Sequence, residues 1–218
     1  MTSATTFTGW PPAALDFYRG LEADNSKSYW TAYKDVYEQG VLAPMQALLA
    51  ELAGEFGEGK IFRPNRDLRF SADKSPYKTA IGAVLGRGYV QFSAQGIAVG
   101  AGCHTMAPDQ LDRYRIAVAD DTKGTALQAV IAELADAGID VTTRETLKSA
   151  PRGFPKDHPR AGLLRNKDLA AWKQWPAITS WVGSTGAKTH IIETLRASQP
   201  LVDWLDTNVG ETTLEHRR

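Results

Sequence analysis

Ala80-Ile-Gly-Ala-Val-Leu-Gly-Arg-Gly-Tyr-Val-Gln-Phe-Ser-Ala-Gln-Gly-Ile-Ala-Val-Gly100 contains three short apolar or alternating runs, parted by Gly86-Arg-Gly88 and Ala94-Gln-Gly96. Short runs rich in Val, Ile, Tyr and Phe between glycine-bearing links are strand and hairpin signals. Links this short cannot hold a helical crossover, so the runs predict an antiparallel meander and argue against a doubly wound parallel sheet here. Leu68-Arg-Phe, just upstream, is predicted as a further strand.

Helical patterns flank the meander. Pro11 and Pro12 can open a helix with Leu15, Phe17, Tyr18 and Leu21 as its apolar residues, and Asp24-Asn-Ser26 offers turn and cap chemistry. Tyr29, Trp30, Tyr33, Val36 and Tyr37 recur at three- and four-residue intervals and predict a second helix that buries this aromatic stripe. A third is expected over 41–56, with Leu48, Leu49 and Leu52 inward. After the meander, Pro108–Ala119 and residues 125–137 have helical periodicity. Residues 148–159 carry three prolines and read as an ordered loop or hinge. From Lys167 onward Trp172, Trp175, Ile178 and Trp181 predict helices, continued over 191–205. The fold class expected is α+β: N-terminal helices over about 10–57, a central mainly antiparallel sheet and further helices packed on it, in one domain over 1–218.

A length of 218 residues and a hydrophobic content of 43% are enough for a substantial core. Zero net charge argues against a protein coated in nucleic-acid-binding charge, yet the charge is unevenly placed. Residues 1–59 hold three Lys or Arg against eight Asp or Glu, whereas 60–87 hold seven against two. The single cysteine, Cys103, excludes an intramolecular disulfide and a multi-cysteine zinc site, and the four histidines show no metal-ligand spacing. No metal site is therefore predicted. Neither a signal-peptide pattern nor a membrane-length apolar run is present, so a cytoplasmic protein without a membrane role is expected. The sequence names no cofactor and no oligomeric state.

The basic segment is Arg63-Pro-Asn-Arg-Asp-Leu-Arg-Phe-Ser-Ala-Asp-Lys-Ser-Pro-Tyr-Lys78, with five cations, two carboxylates and a tyrosine. Arginine grips planar oxyanions through a rigid fork of donors, so this density suggests an anion site. If 66–71 is extended, Asp67, Arg69 and Ser71 share one face and Arg66, Leu68 and Phe70 the other. Arg66 then needs a partner, either a carboxylate or a bound anion. The structural alternative is that Arg63, Arg66 and Arg69 pair with Asp67, Asp73 and helical glutamates. Asp73 also has a capping role in the Asp73-Lys-Ser-Pro-Tyr turn, and packing is the favoured role for Tyr77.

The arrangement Arg63-x-x-Arg66-Asp67-x-Arg69-Phe70, followed by Asp73, Lys74 and Tyr77, resembles the hallmark of the domain of unknown function 2461 family. Leu147-Lys-x-x-Pro-Arg-Gly-Phe154 with His158-Pro159 fits the same resemblance, which covers most of the chain. It implies a shared site at these residues and supplies no substrate.

The leading functional expectation is a cationic pocket for a phosphorylated or carboxylated small molecule. Its ligand-binding candidates are Arg63, Arg66, Arg69, Asp73, Lys74, Tyr77 and Lys78. A second basic stretch over 144–167 adds Lys148 and Arg152, in a loop expected to cover the first, so that substituting Arg152 would weaken binding as substituting Arg69 does. For phosphate-directed hydrolysis or transfer, Asp67 is the candidate general base, Arg69 the oxyanion stabiliser and His158 a candidate acid or base. Two alternatives are nucleic-acid binding, with Tyr77, Tyr89 or Phe92 stacking on bases, and a protein-interaction module that uses the aromatic helices. Residues 183–189 lack the spacing of a phosphate-binding P-loop, and Gly100-x-Gly102 is too short for a dinucleotide fingerprint.

Overall fold

The structure, a computed structural model, describes residues 6–69 and 73–214. Phe70, Ser71 and His216 lie outside the described residues. Contacts gather the chain into two compact units, the first built from 1–99 and 174–193, the second from 100–173 and 194–218. Six strands form one antiparallel sheet in the order β1-β2-β3-β4-β6-β5: β1 (Gly59–Ile61), β2 (Ala80–Leu85), β3 (Gly88–Ser93), β4 (Gly96–Cys103), β5 (Asp140–Thr142) and β6 (Leu169–Pro176).

In the first unit, α1 (Pro12–Ala23) opens on a proline, which lacks the amide hydrogen a first helical turn leaves unbonded anyway. Its Ala14, Phe17, Tyr18 and Leu21 are buried at three- and four-residue spacing. Ser26 accepts a hydrogen bond from the Tyr29 amide and so caps α2 (Lys27–Ala32). The expected second helix is then interrupted at Tyr33, continuing as α3 (Lys34–Val36) and a wider π-helical turn over Tyr37–Leu42 before α4 (Ala43–Phe56). The interruption rotates the aromatic stripe off a single face: Tyr37 is buried, Tyr29 and Trp30 are half-buried, and Tyr33 is exposed. Helix α4 buries Met45, Leu48, Leu49 and Leu52.

The meander forms as expected, with Ala80 opposite Ser93, Gly82 opposite Gln91 and Val84 opposite Tyr89. Strand alternation then separates two faces. Ile81, Ala83, Leu85, Val90 and Phe92 are buried, and the Phe92 ring is stacked on Trp10, 4.8 Å away. Tyr89, Gln91 and Ser93 share the opposite, polar face.

In the second unit, α5 (Pro108–Ala119) and α6 (Asp121–Asp136) bury Tyr114, Val118, Leu127 and Leu134 in a core completed by Leu201, Trp204 and Leu205 of α9 (Gln199–Asn208). The remaining helices are α7 (Ala161–Leu164) and α8 (Gly186–Ala197).

Two expectations are corrected. Residues 68–69 are not a strand: that segment has no ladder partner and belongs to a loop. Residues 169–176, expected as helix from the tryptophan spacing, form strand β6 between β4 and β5. Leu169, Ala170 and Ala171 are all buried there, and a strand covered on both faces has no alternation to announce it.

Candidate functional site

The chain leaves β1 at Ile61 and returns at β2 through a loop that is tied at its neck. The Phe62 amide donates to the Gly82 carbonyl, the Arg66 amide to Pro76 and the Lys78 amide to Pro64, with a single bridge between Asn65 and Tyr77. Asn25 supplies a second tie: its Nδ2 donates to the Tyr77 carbonyl and its Oδ1 accepts from the Tyr77 amide, both at 3.0 Å. The Tyr77 ring is buried and stacked on Trp30. These contacts assign Tyr77 to packing, so the loop's polar residues project from a fixed base.

Within the loop the charges pair locally. Arg66 pairs with Asp73. Hydrogen bonds from Ser75, followed by those from Arg66, hold the Asp73 carboxyl down to about 2. Arg69 grips both oxygens of Asp67, Nε to Oδ1 at 2.9 Å and Nη2 to Oδ2 at 2.6 Å, while its own amide also donates to Oδ1. The guanidinium bonds, with the amide bond second, lower the Asp67 pKa, which stabilises the carboxylate and weakens it as a proton acceptor. Lys74 Nζ donates to the Leu68 carbonyl at 3.2 Å and Lys78 Nζ to the Arg63 carbonyl at 2.9 Å. Partial burial, then the Arg63 charge, lowers the Lys78 pKa.

Beside the loop's neck lies an open cleft of about 350 Å³, lined by Arg66, Lys78 and Thr79, by Phe62, and by the polar face of the hairpin through Gly82, Tyr89, Gln91 and Ser93, with Gln95 at its end. Tyr89 leans across Gly82 to donate to Gln91 Oε1 at 2.9 Å. A Cβ at Gly82 would come within 2.5 Å of the Tyr89 hydroxyl, so the absence of a side chain is what lets the ring lie there. Gln95 Nε2 donates to Glu22 Oε1.

Of the candidates read from the sequence, Arg66 and Lys78 line this cleft. Arg63, Arg69, Asp73 and Lys74 occupy the adjoining loop, and Tyr77 faces Trp30. Phe62, Thr79, Gln91, Ser93 and Gln95 were not anticipated. The alternation of Tyr89, Gln91 and Ser93 against Val90 and Phe92 carried that signal, since polar residues at period two mark an open sheet face.

Lys148, Arg152 and His158 belong to the second unit. Lys148 and Arg152 are exposed. His158 Nδ1 accepts from the Arg160 amide at 3.0 Å. Arg160, counted with the basic stretch, is buried: its guanidinium donates to the carbonyls of Val118, Ala119 and Asp120, where α5 ends, and pairs with Asp121. Buried Asp168 accepts from the amides of Arg144 and Glu145. Cys103 is buried, its thiol donating to the Thr105 carbonyl. No helix among the described residues is long and apolar enough to cross a membrane.

No curated protein and no solved structure matches the chain. The model of the family described as conserved hypothetical protein (DUF2461) matches residues 13–204, and the chain belongs to that family.

Proposed function

We propose that the protein binds a small phosphorylated or carboxylated molecule in the cleft between the residue 63–78 loop and the polar face of β2 and β3. The observation that carries this reading is the convergence of Arg66 and Lys78 on one cleft with the side chains of Thr79 and Gln91. This set is rich in donors: Gln91 presents its amide nitrogen because Tyr89 already occupies its oxygen, and the Thr79 hydroxyl adds another. A donor-rich concave site with two cations suits a ligand that is mostly acceptor. Its volume lies at the small end of the range for small-molecule sites. Asp73 neutralises part of the Arg66 charge and holds its guanidinium in place.

The reading is one of binding. A phosphate-directed hydrolase or transferase built on Asp67 is the finer alternative, and the Arg69 clamp disfavours it because a carboxylate engaged at both oxygens is a poor base. His158, tied to the Arg160 amide, has a loop-packing role in this reading. Arg69 and Asp67 shape the loop, and Lys148 and Arg152 are not required.

Titration calorimetry with phosphorylated metabolites and dicarboxylates, comparing wild type with Lys78→Met and Gln91→Leu, tests the proposal. Saturable binding weakened about tenfold or more by either substitution is expected, since one charge-assisted hydrogen bond contributes that much. Unchanged affinity in both variants would remove the cleft from consideration. Affinity that falls steeply with salt and grows with oligonucleotide length would favour the nucleic-acid reading instead.

A further inference from the structure

The cleft has an aromatic wall as well as a cationic one. Phe62 is 40% exposed, a large apolar surface for a residue held by a backbone bond to the strand beside it. The amide bond to Gly82 sets its ring at the cleft margin, where its centroid lies 6.4 Å from that of Tyr89, with the planes tilted by 36°. The Lys78 ammonium sits 5.4 Å from the centre of the same Phe62 ring. An anion held by Lys78 would therefore lie beside the Phe62 ring.

Gly82, Tyr89 and Gln91 add the third element. The missing side chain at Gly82 lets the Tyr89 ring lie flat along the cleft, and the Gln91 amide beside it is a donor for a ring edge or a sugar hydroxyl. Exposed aromatic rings next to cations and amides are the recurrent means of holding a base with its phosphate. Backbone bonds at the neck fix residues 62–66 and 76–78 in this arrangement.

We infer that the ligand of this cleft is a mononucleotide, its phosphate on Lys78 and Arg66 and its base against Phe62 and Tyr89. The inference rests on the anion-binding reading above and narrows it from any small anion to one that carries a planar heterocycle. An oligonucleotide fits less well, because the cleft is small and the chain carries no net charge.

The test is calorimetry at constant ionic strength with the four ribonucleoside 5′-monophosphates, ribose 5-phosphate and inorganic phosphate, on wild type, Phe62→Ala and Phe62→Leu. Exposure of Phe62 makes both variants compatible with folding, which circular dichroism would verify. At least one nucleotide is expected to bind wild type about tenfold or more tightly than ribose 5-phosphate, as one stacked base allows. Both substitutions should erase that ratio while ribose 5-phosphate binding is kept. Equal affinities for nucleotide and ribose 5-phosphate in wild type would overturn the inference and leave the anion site standing. A nucleotide preference that survives both substitutions would also overturn it. Binding of none of the probes would overturn the inference together with the reading beneath it. A ten-residue oligonucleotide that binds more tightly than every mononucleotide, with steep salt dependence, would overturn it in favour of a nucleic-acid surface.

Discussion

The Tyr77 ring lies flat on the indole of Trp30, with centroids 4.3 Å apart and planes 9° apart. This stack joins the returning end of the basic loop to helix α2, and Tyr77 is 8% exposed. Tyr77→Ala should cost roughly 3–5 kcal/mol in denaturant unfolding, as for other buried aromatics, and Tyr77→Phe much less because the stack is kept. Ligand affinity in the cleft should fall with Tyr77→Ala, since Lys78 is the next residue along the chain.

Asn25 makes two backbone bonds to Tyr77, one as donor and one as acceptor. A carboxylate can only accept, so Asn25→Asp leaves the Tyr77 carbonyl without its donor. The expected loss is roughly 1–3 kcal/mol, larger than for a surface Asn→Asp change, and amide hydrogen exchange at Tyr77 should accelerate.

Asp73 titrates at about 2, below the ordinary aspartate value, through Ser75 first and Arg66 second. A lowered folded-state pKa stabilises the folded loop above the unfolded value, and the contribution is lost as pH falls through the folded value. Loop order should therefore hold down to about pH 4 and relax between there and pH 2. Carboxyl carbon shifts of Asp73 would follow this directly. Ser75→Gly would move the midpoint up by removing the serine hydroxyl's hydrogen bond, and Arg66→Ala by a smaller amount.

Arg160 and Gly124 form a second, independent test. The Arg160 guanidinium caps the end of α5, and a Cβ at Gly124 would lie 2.4 Å from Arg160 Nε and 2.3 Å from the Val118 carbonyl oxygen. Gly124→Ala should thus destabilise although alanine is the better helix former, and Arg160→Leu should cost roughly 3 kcal/mol by leaving the carbonyls uncapped. Neither change should alter ligand affinity in the cleft, where neither residue lies.

Legibility in the sequence followed the reach of each signal. The meander and the α1, α4, α5 and α6 stripes repeat with periods of two or about 3.6 residues, which local chain geometry imposes, and each is where that reading put it. The β6 strand escaped because Trp172 and Trp175 are three apart and Leu169, Ala170 and Ala171 are buried together. In the site, Arg66 and Lys78 were legible as cations and the Asp73 turn as turn chemistry. Phe62, Thr79 and the Gln91 face were not, because their meeting depends on which strand lies beside which.

The sequence alone determined the α+β class, the antiparallel meander, the concentration of charge in residues 63–78 and the family. Tertiary structure decided what that charge does. The sequence offered Asp67 and Asp73 as partners without saying which arginine each takes: Asp73 pairs with Arg66, Asp67 with the nearby Arg69, and Trp30 arrives from helix α2 to seat Tyr77. Coulombic and stacking interactions act over a few ångströms in space regardless of separation along the chain. Which of five cations lines a cleft was therefore settled only when the strands had paired and the loop had closed on its neck.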